Sequence, residues 1–262
     1  MRINKFLVLG AGAALIAGCT AAVLNKESTS NTIRSGYSFS EPETRAMQDD
    51  DFENPAFLWV DYGIELWSTA DGEANKSCAD CHGDAEESMK GVGAAYPKYD
   101  EPSGKLINLE LKINECRKNN MKAKPYKYES RELLGITAFV KGQSRGMPVN
   151  VAIDGPAAPF FEKGKAFYEQ RRGQLDIACV NCHSYPGTRI RANLLSQGQG
   201  NGFPQYRLKW QKIGSLHRRF RGCNKNIRAQ PYGYGSDEYV NLELYLAWRG
   251  RGLPVETPAV RM

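Results

Sequence analysis

With 262 residues the chain can build one large domain or two small ones with cores of their own. Its 41% hydrophobic and 24% charged residues are ordinary for a globular protein, and no apolar run beyond the N-terminus is long enough for a spanning helix. The net charge of +6 is unevenly placed: residues 1–150 carry 18 basic and 21 acidic side chains, whereas 151–262 carry 17 and 8.

Residues 1–19 have the layout of a secretory signal, with Arg2 and Lys5 ahead of an apolar stretch from Phe6 to Ala17. Leu15-Ile16-Ala17-Gly18-Cys19 resembles a lipobox, which predicts a lipid on Cys19 as the protein's sole attachment to a membrane. Ordinary cleavage within Thr20-Ala21-Ala22 is the alternative, and either route exports the chain. Residues 20–50 are polar and read as a loose leader.

The remainder repeats itself. Tyr62-Gly63-Ile64-Glu65-Leu66-Trp67 and Lys163-Gly164-Lys165-Ala166-Phe167-Tyr168 stand 101 residues apart, each ahead of a CxxCH motif. Cys116 precedes Pro125-Tyr126 as Cys223 precedes Pro231-Tyr232, and Gly146-Met147-Pro148-Val149 matches Gly252-Leu253-Pro254-Val255. Two similar domains are therefore expected, 51–150 and 151–262, joined through a Gly- and Pro-rich linker at 148–159.

In chain order, 55–69 reads as the first helix of one repeat, and 91–104 as a loop rich in Gly and Pro. The apolar positions within 129–141 predict a helix covered on more than one side. Segment 157–171 repeats the first helix, 184–206 is a second long loop, and 236–249 opens at Ser236 as N-cap. The last helix of each repeat stops at Gly-x-Pro. The expected fold class is all-α: two tandem cytochrome c-like haem domains related by internal duplication.

The chemistry lies in Cys78-Ala79-Asp80-Cys81-His82 and Cys179-Val180-Asn181-Cys182-His183. Two thiols about one helical turn apart reach the two vinyl groups of one porphyrin, and the next residue, a histidine, meets the iron. The pattern predicts two covalently bound haem c, on Cys78 and Cys81 and on Cys179 and Cys182, with His82 and His183 as iron ligands. Zinc is the competing reading, but adjacent Cys and His side chains diverge and make awkward neighbours in a tetrahedral site.

The far side of each iron is more telling. A simple electron carrier uses methionine or histidine there, yet no methionine occurs between 151 and 261. The second haem is left with Cys223, His217, Met262 at the terminus, a lysine or an open position, and of the cysteines only Cys116 and Cys223 remain once Cys19 and the attachment cysteines are assigned. A disulfide between them is one reading. Their matching places in the two repeats favour the other, a thiolate iron ligand in each domain. Around Cys223 the residues 207–228 hold eight basic side chains and no acid. In an exported protein such a patch suits a small anion better than nucleic acid. His217, within it, is equally suited to donating a proton and to a structural hydrogen bond.

The order CxxCH, Cys, Pro-Tyr, CxxCH, followed by His217-Arg218-Arg219-Phe220-Arg221-Gly222-Cys223 and Arg228-Ala229-Gln230-Pro231-Tyr232, resembles the SoxA family. These are the dihaem subunits of SoxAX cytochrome complexes in bacterial thiosulfate oxidation. The resemblance spans about 55–255. It implies an L-cysteine S-thiosulfotransferase of the periplasm that couples thiosulfate to a cysteine of the carrier protein SoxYZ and passes electrons through haem to the monohaem partner SoxX. It implies that His183 and Cys223 ligate the catalytic haem, that Cys223 is the nucleophile carried as a persulfide, and that Arg219 binds substrate. His82 and Cys116 would ligate the other haem.

Two rival functions have distinct signatures. A dihaem thiosulfate dehydrogenase would form tetrathionate without any carrier protein. A purely electron-transferring dihaem cytochrome would survive loss of Cys223 with only a changed potential.

Overall fold

The computed structural model describes residues 32–190 and 193–262; the expected signal and the lipobox at Cys19 lie outside the described residues. In chain order the helices are α1 (Pro42–Asp49), α2 (Phe57–Ser68), α3 (Ala79–His82), α4 (Ala85–Ser88), α5 (Leu109–Cys116), α6 (Arg131–Gly142), α7 (Ala158–Glu169), α8 (Cys179–His183), α9 (Leu216–Asn226) and α10 (Asp237–Arg249). The strands are short: β1 (Lys98–Asp100), β2 (Lys105–Ile107), β3 (Arg189–Ile190), β4 (Asn193–Leu194), β5 (Gln205–Arg207), β6 (Lys212–Gly214) and β7 (Ala259–Arg261).

Two helix pairs frame the molecule, α2 against α6 and α7 against α10. All eight residues from Leu133 to Val140 of α6 are buried, which explains why its apolar positions fill more than one face. Ser130 caps it, its hydroxyl accepting from the Leu133 N–H at 3.2 Å. Ser236 occupies the N-cap position of α10, but its hydroxyl makes no capping bond and is buried without a partner, contrary to the capping expected of it.

The crossings explain two glycines. A methyl on Gly63 would overlap the carbonyl oxygen of Gly135, and one on Gly164 would overlap that of Asn241, so the backbones touch where the helices cross. Gly63→Ala and Gly164→Ala are each expected to destabilise by about 2 kcal/mol, the cost of forcing a packed pair apart. The check is a lower denaturant midpoint at unchanged slope.

The all-α expectation needs correction. Hairpins β1–β2 and β3–β4 and a three-stranded sheet in the order β6-β5-β7 accompany the helices. β5 pairs antiparallel with β6 and parallel with β7, Tyr206 lying beside Val260. Among the described residues no strand exceeds three residues, too few for an alternating pattern to show.

The leader reading also fails from residue 33 onward. Residues Ile33–Met262 belong to one compact unit. Gln48 on α1 accepts from the Val260 N–H at 3.1 Å, so this polar segment holds the C-terminal strand. Residues around 148–150 are likewise no free linker. Val149 donates to Leu253 at 2.8 Å and accepts from Gly252 at 2.9 Å, while Val255 donates to Met147 at 2.8 Å. The two matching Gly-x-Pro-Val segments thus bond to each other.

Between the helix pairs lies a buried polar cluster. His217, fully buried, accepts on Nδ1 from the Gly235 N–H at 3.0 Å, and its Nε2 stands 3.2 Å from Glu243. Asn108 donates to Glu243 at 3.0 Å and to the Tyr128 hydroxyl at 2.8 Å, and Tyr128 stacks on the His217 ring at 5.3 Å. These bonds give His217 a structural place in the core.

Glu110 is buried in the same region, and burial, with the Glu243 carboxylate adding to it, pushes its carboxyl up to about 8; Lys141 opposes the shift and Glu129 reinforces it. A raised carboxyl keeps in the folded chain a proton that the unfolded chain releases. Its stabilisation is complete below about 4.5 and is lost as pH climbs to about 8. Glu110→Gln should therefore flatten the fall in stability between pH 6 and 8.5, where one retained proton contributes a slope of about 1 kcal/mol per pH unit. Urea midpoints at the two pH values check this.

Candidate functional site

Each CxxCH begins a short helix, and the second variable residue of the motif shapes its start. Asp80 accepts from the Ser77 N–H at 2.7 Å while the Ser77 hydroxyl accepts from the Asp80 N–H at 3.1 Å, a reciprocal cap on α3. In the second half Asn181 accepts from the Ala178 N–H at 2.9 Å at the start of α8. The loops ahead of the two motifs also correspond, closed by the bridges Asp71–Lys76 and Arg172–Ile177. Gly72 presses on the Met121 carbonyl and Gly173 on that of Ile227, both with positive φ, at 73° and 69°, a conformation that glycine adopts freely.

α5 and α9 bring Cys116 and Cys223 to the two motifs. Burial pushes the Cys78 thiol up, Arg117 opposes this, and the charges of Cys116 and Cys81 add to the rise. The Cys116 thiol is raised by burial, with Lys112 opposing and Cys81 adding. Burial takes Cys179 up to about 12, and the next contribution is the charge of Cys223, which also reinforces the burial shift of Cys182. Each later cysteine thus stands within electrostatic reach of its own CxxCH. Cys116 and Cys223 are both free thiols, so the disulfide reading has no counterpart in the structure.

The second motif has the more elaborate surroundings. His183 Nδ1 bonds to the Ser196 carbonyl at 2.8 Å, which leaves Nε2 for a metal. Gly198 lies across the ring, where a Cβ would come 2.9 Å from His183 Cγ. Burial lowers the His183 pKa, the Ser196 carbonyl opposes, and the Arg219 guanidinium lowers it further. Arg219 therefore reaches the same site from α9. It is half-buried, and its side chain makes no hydrogen bond or ion pair among the described residues, although those of Arg218 and Arg221 are held by Glu129 and by the Tyr232 carbonyl. At the first motif His82 and Cys81 are exposed, with Trp67 5.8 Å from the His82 ring and its Nε1 donating to Gly83 at 3.1 Å.

Among the described residues no three His, Cys, Asp or Glu side chains are gathered as ligands of a bare metal ion. A histidine with Nδ1 tied to a carbonyl and its ring edged by glycine is placed to offer Nε2 to a haem iron.

Comparison with known proteins agrees. The L-cysteine S-thiosulfotransferase subunit SoxA of Pseudaminobacter salicylatoxidans is 50% identical over 229 residues, 87% of this chain and 80% of that one. The chain belongs to the SoxA family. The SoxA subunit of Paracoccus pantotrophus is 46% identical over 234 residues, covering 89% of this chain and 80% of its own. Residues 62–149 match the cytochrome c domain of the SoxA/TsdA family, a domain that carries covalently bound haem c. In the crystal structure of SoxXA from P. pantotrophus, one chain superposes with a TM-score of 0.85 at 45% identity, covering 88% of this chain and 87% of that one.

Sequence reasoning about this SoxA chain missed Ser196, Gly198 and Trp67. The first two lie within 184–206, read only as a loop, and nothing local marks them as partners of His183. Trp67 was signalled by its place at the end of the repeated hexapeptide, where its counterpart is Tyr168.

Proposed function

We propose that this SoxA chain is an L-cysteine S-thiosulfotransferase subunit that binds two haem c, works in the periplasm with a SoxX-type monohaem partner, and joins thiosulfate to a cysteine of a SoxYZ-type carrier. The observation that carries this is the convergence of Cys223, the Cys179–His183 motif and the unpaired Arg219. Cys78 and Cys81 would hold one haem, with His82 and Cys116 on its iron; Cys179 and Cys182 would hold the other, with His183 and Cys223. The matching loops, caps and helix crossings of the two halves support tandem haem domains derived by duplication. When bound, haem supplies a one-electron acceptor beside the reacting sulfur.

The chain's own residues account for the rest. Thiosulfate is a dianion and must approach a sulfur that is itself anionic, so Arg219 offsets the repulsion and orients the sulfonate end. With Cys223 carried as a persulfide, its terminal sulfur bonds to the outer sulfur of thiosulfate and two electrons leave. The carrier thiolate then attacks that outer sulfur, the new bond breaks, and the terminal sulfur stays on Cys223. Overall, a carrier thiol and thiosulfate give a carrier S-thiosulfonate, one proton and two electrons.

Purified complex incubated with carrier, thiosulfate and an electron acceptor is expected to add one S-thiosulfonate group to the carrier cysteine, read by intact mass. Tetrathionate formed equally well without carrier would instead establish a thiosulfate dehydrogenase.

A further inference from the structure

The basic patch at 207–228 contains a second arginine whose surroundings are unusual. Three of the other four arginines in it have acceptors: Arg218 faces Glu129, Arg221 donates to the Tyr232 carbonyl, and Arg228 reaches Gln174 at 3.5 Å. Arg207 sits at the end of β5, held between β6 and β7. One terminal nitrogen donates to the Met262 carbonyl, and the guanidinium lies 5.2 Å from the Trp210 ring centre. Its Nε is buried and has no hydrogen-bond partner.

Arg207 also belongs electrostatically to the site. Its pKa comes down to about 10, with burial the largest cause and the Arg219 guanidinium adding to it, while a charge on Cys223 opposes both. Two like charges are thus held near one sulfur, and no carboxylate pairs with either among the described residues. A buried guanidinium N–H left unsatisfied is costly, and so is the repulsion between the pair. A dianion relieves both at once.

We propose that Arg207 is a second substrate-binding arginine, its Nε–H acting with Arg219 to grip the sulfonate end of thiosulfate beside Cys223. This rests on the thiosulfotransferase reading above. Two guanidinium groups match the two negative charges of the substrate. A grip from β5 as well as α9 fixes the direction in which the outer sulfur points, which a single flexible arginine does not.

The test compares wild-type, Arg207→Gln, Arg207→Lys and Arg219→Gln chains, each haem-loaded and complexed with the monohaem partner, in thiosulfate-dependent turnover with carrier. Arg207→Gln should raise the thiosulfate KM about tenfold, the loss of one charge-assisted bond, with haem content and Soret spectrum unchanged. Arg207→Lys, which keeps the charge and loses the Nε–H, should fall between wild-type and Gln. If Arg207→Gln fails to fold or loads haem poorly, Arg207→Lys decides alone. A wild-type KM in the Lys variant then overturns the proposal, and a raised one supports it. Wild-type KM in Arg207→Gln with a raised KM in Arg219→Gln overturns this inference and leaves the thiosulfotransferase standing. A wild-type complex that consumes no thiosulfate overturns both.

Discussion

Cys223→Ala is expected to reduce thiosulfate-dependent turnover at least about a thousandfold while both CxxCH motifs still carry haem, because it removes the thiol that carries the reacting terminal sulfur. The substitution leaves the architecture alone. Cys223 is half-buried on α9, and the helix is anchored by Leu216, Phe220 and Asn224, none of which it touches through a hydrogen bond. On the proposed assignment attachment depends on Cys179 and Cys182, so haem content measured by pyridine haemochrome should be unchanged. The spectrum of the second haem should change, since its thiolate is gone. A pure electron carrier would show the spectral change without the loss of reaction, and that pairing of results would overturn the assigned role. Cys116→Ala provides the contrast. It alters the first haem's environment with no nucleophile at stake, so turnover should fall far less than for Cys223→Ala.

The parts of the fold that were legible are those whose physics is local. α2, α6, α7 and α10 span twelve or thirteen residues each, long enough for a helical period to show and for end signals to register. α9 was not legible because only Leu216, His217, Phe220 and Asn224 of its eleven residues are buried, and the arginines between them read as a charge run. The sheet was hidden for another reason. β5 meets β7 across 54 residues of chain, a non-local pairing that no window on the sequence contains.

The candidate site divides the same way. Cys78, Cys81, His82, Cys179, Cys182 and His183 are fixed by a five-residue motif, and the matching positions of Cys116 and Cys223 follow from the repeat. The Ser196 carbonyl behind His183 is a backbone atom, which side-chain chemistry cannot advertise. The buried set of Glu110, Lys141, His217 and Glu243 draws on four different helices, and its residues look like surface charges in sequence.

Arg219→Ala should lower kcat/KM for thiosulfate about a hundredfold, mostly through KM, with both haems attached. Bringing a dianion to an anionic sulfur places like charges a few ångströms apart in a partly water-excluded site, where their repulsion exceeds that in water. Arg219 is suited to cancelling it because nothing else in the described chain occupies its guanidinium. Arg218, one residue earlier, is committed to Glu129 at 3.4 Å, and Arg221 to the Tyr232 carbonyl. Removing a charge-assisted bidentate pair of hydrogen bonds from a desolvated site costs about 3 kcal/mol, or about a hundredfold. Arg218→Ala, next to it on α9, removes the same net charge and leaves that bidentate grip in place. It should change the thiosulfate KM by less than about threefold, since that guanidinium is already neutralised by Glu129 and acts on the anion only through a screened field. Equal effects in the two variants, measured at 0.15 M ionic strength, would show that the patch acts only as a diffuse field. A large effect confined to Arg219 would show that the anion is held at one place, beside His183 and Cys223.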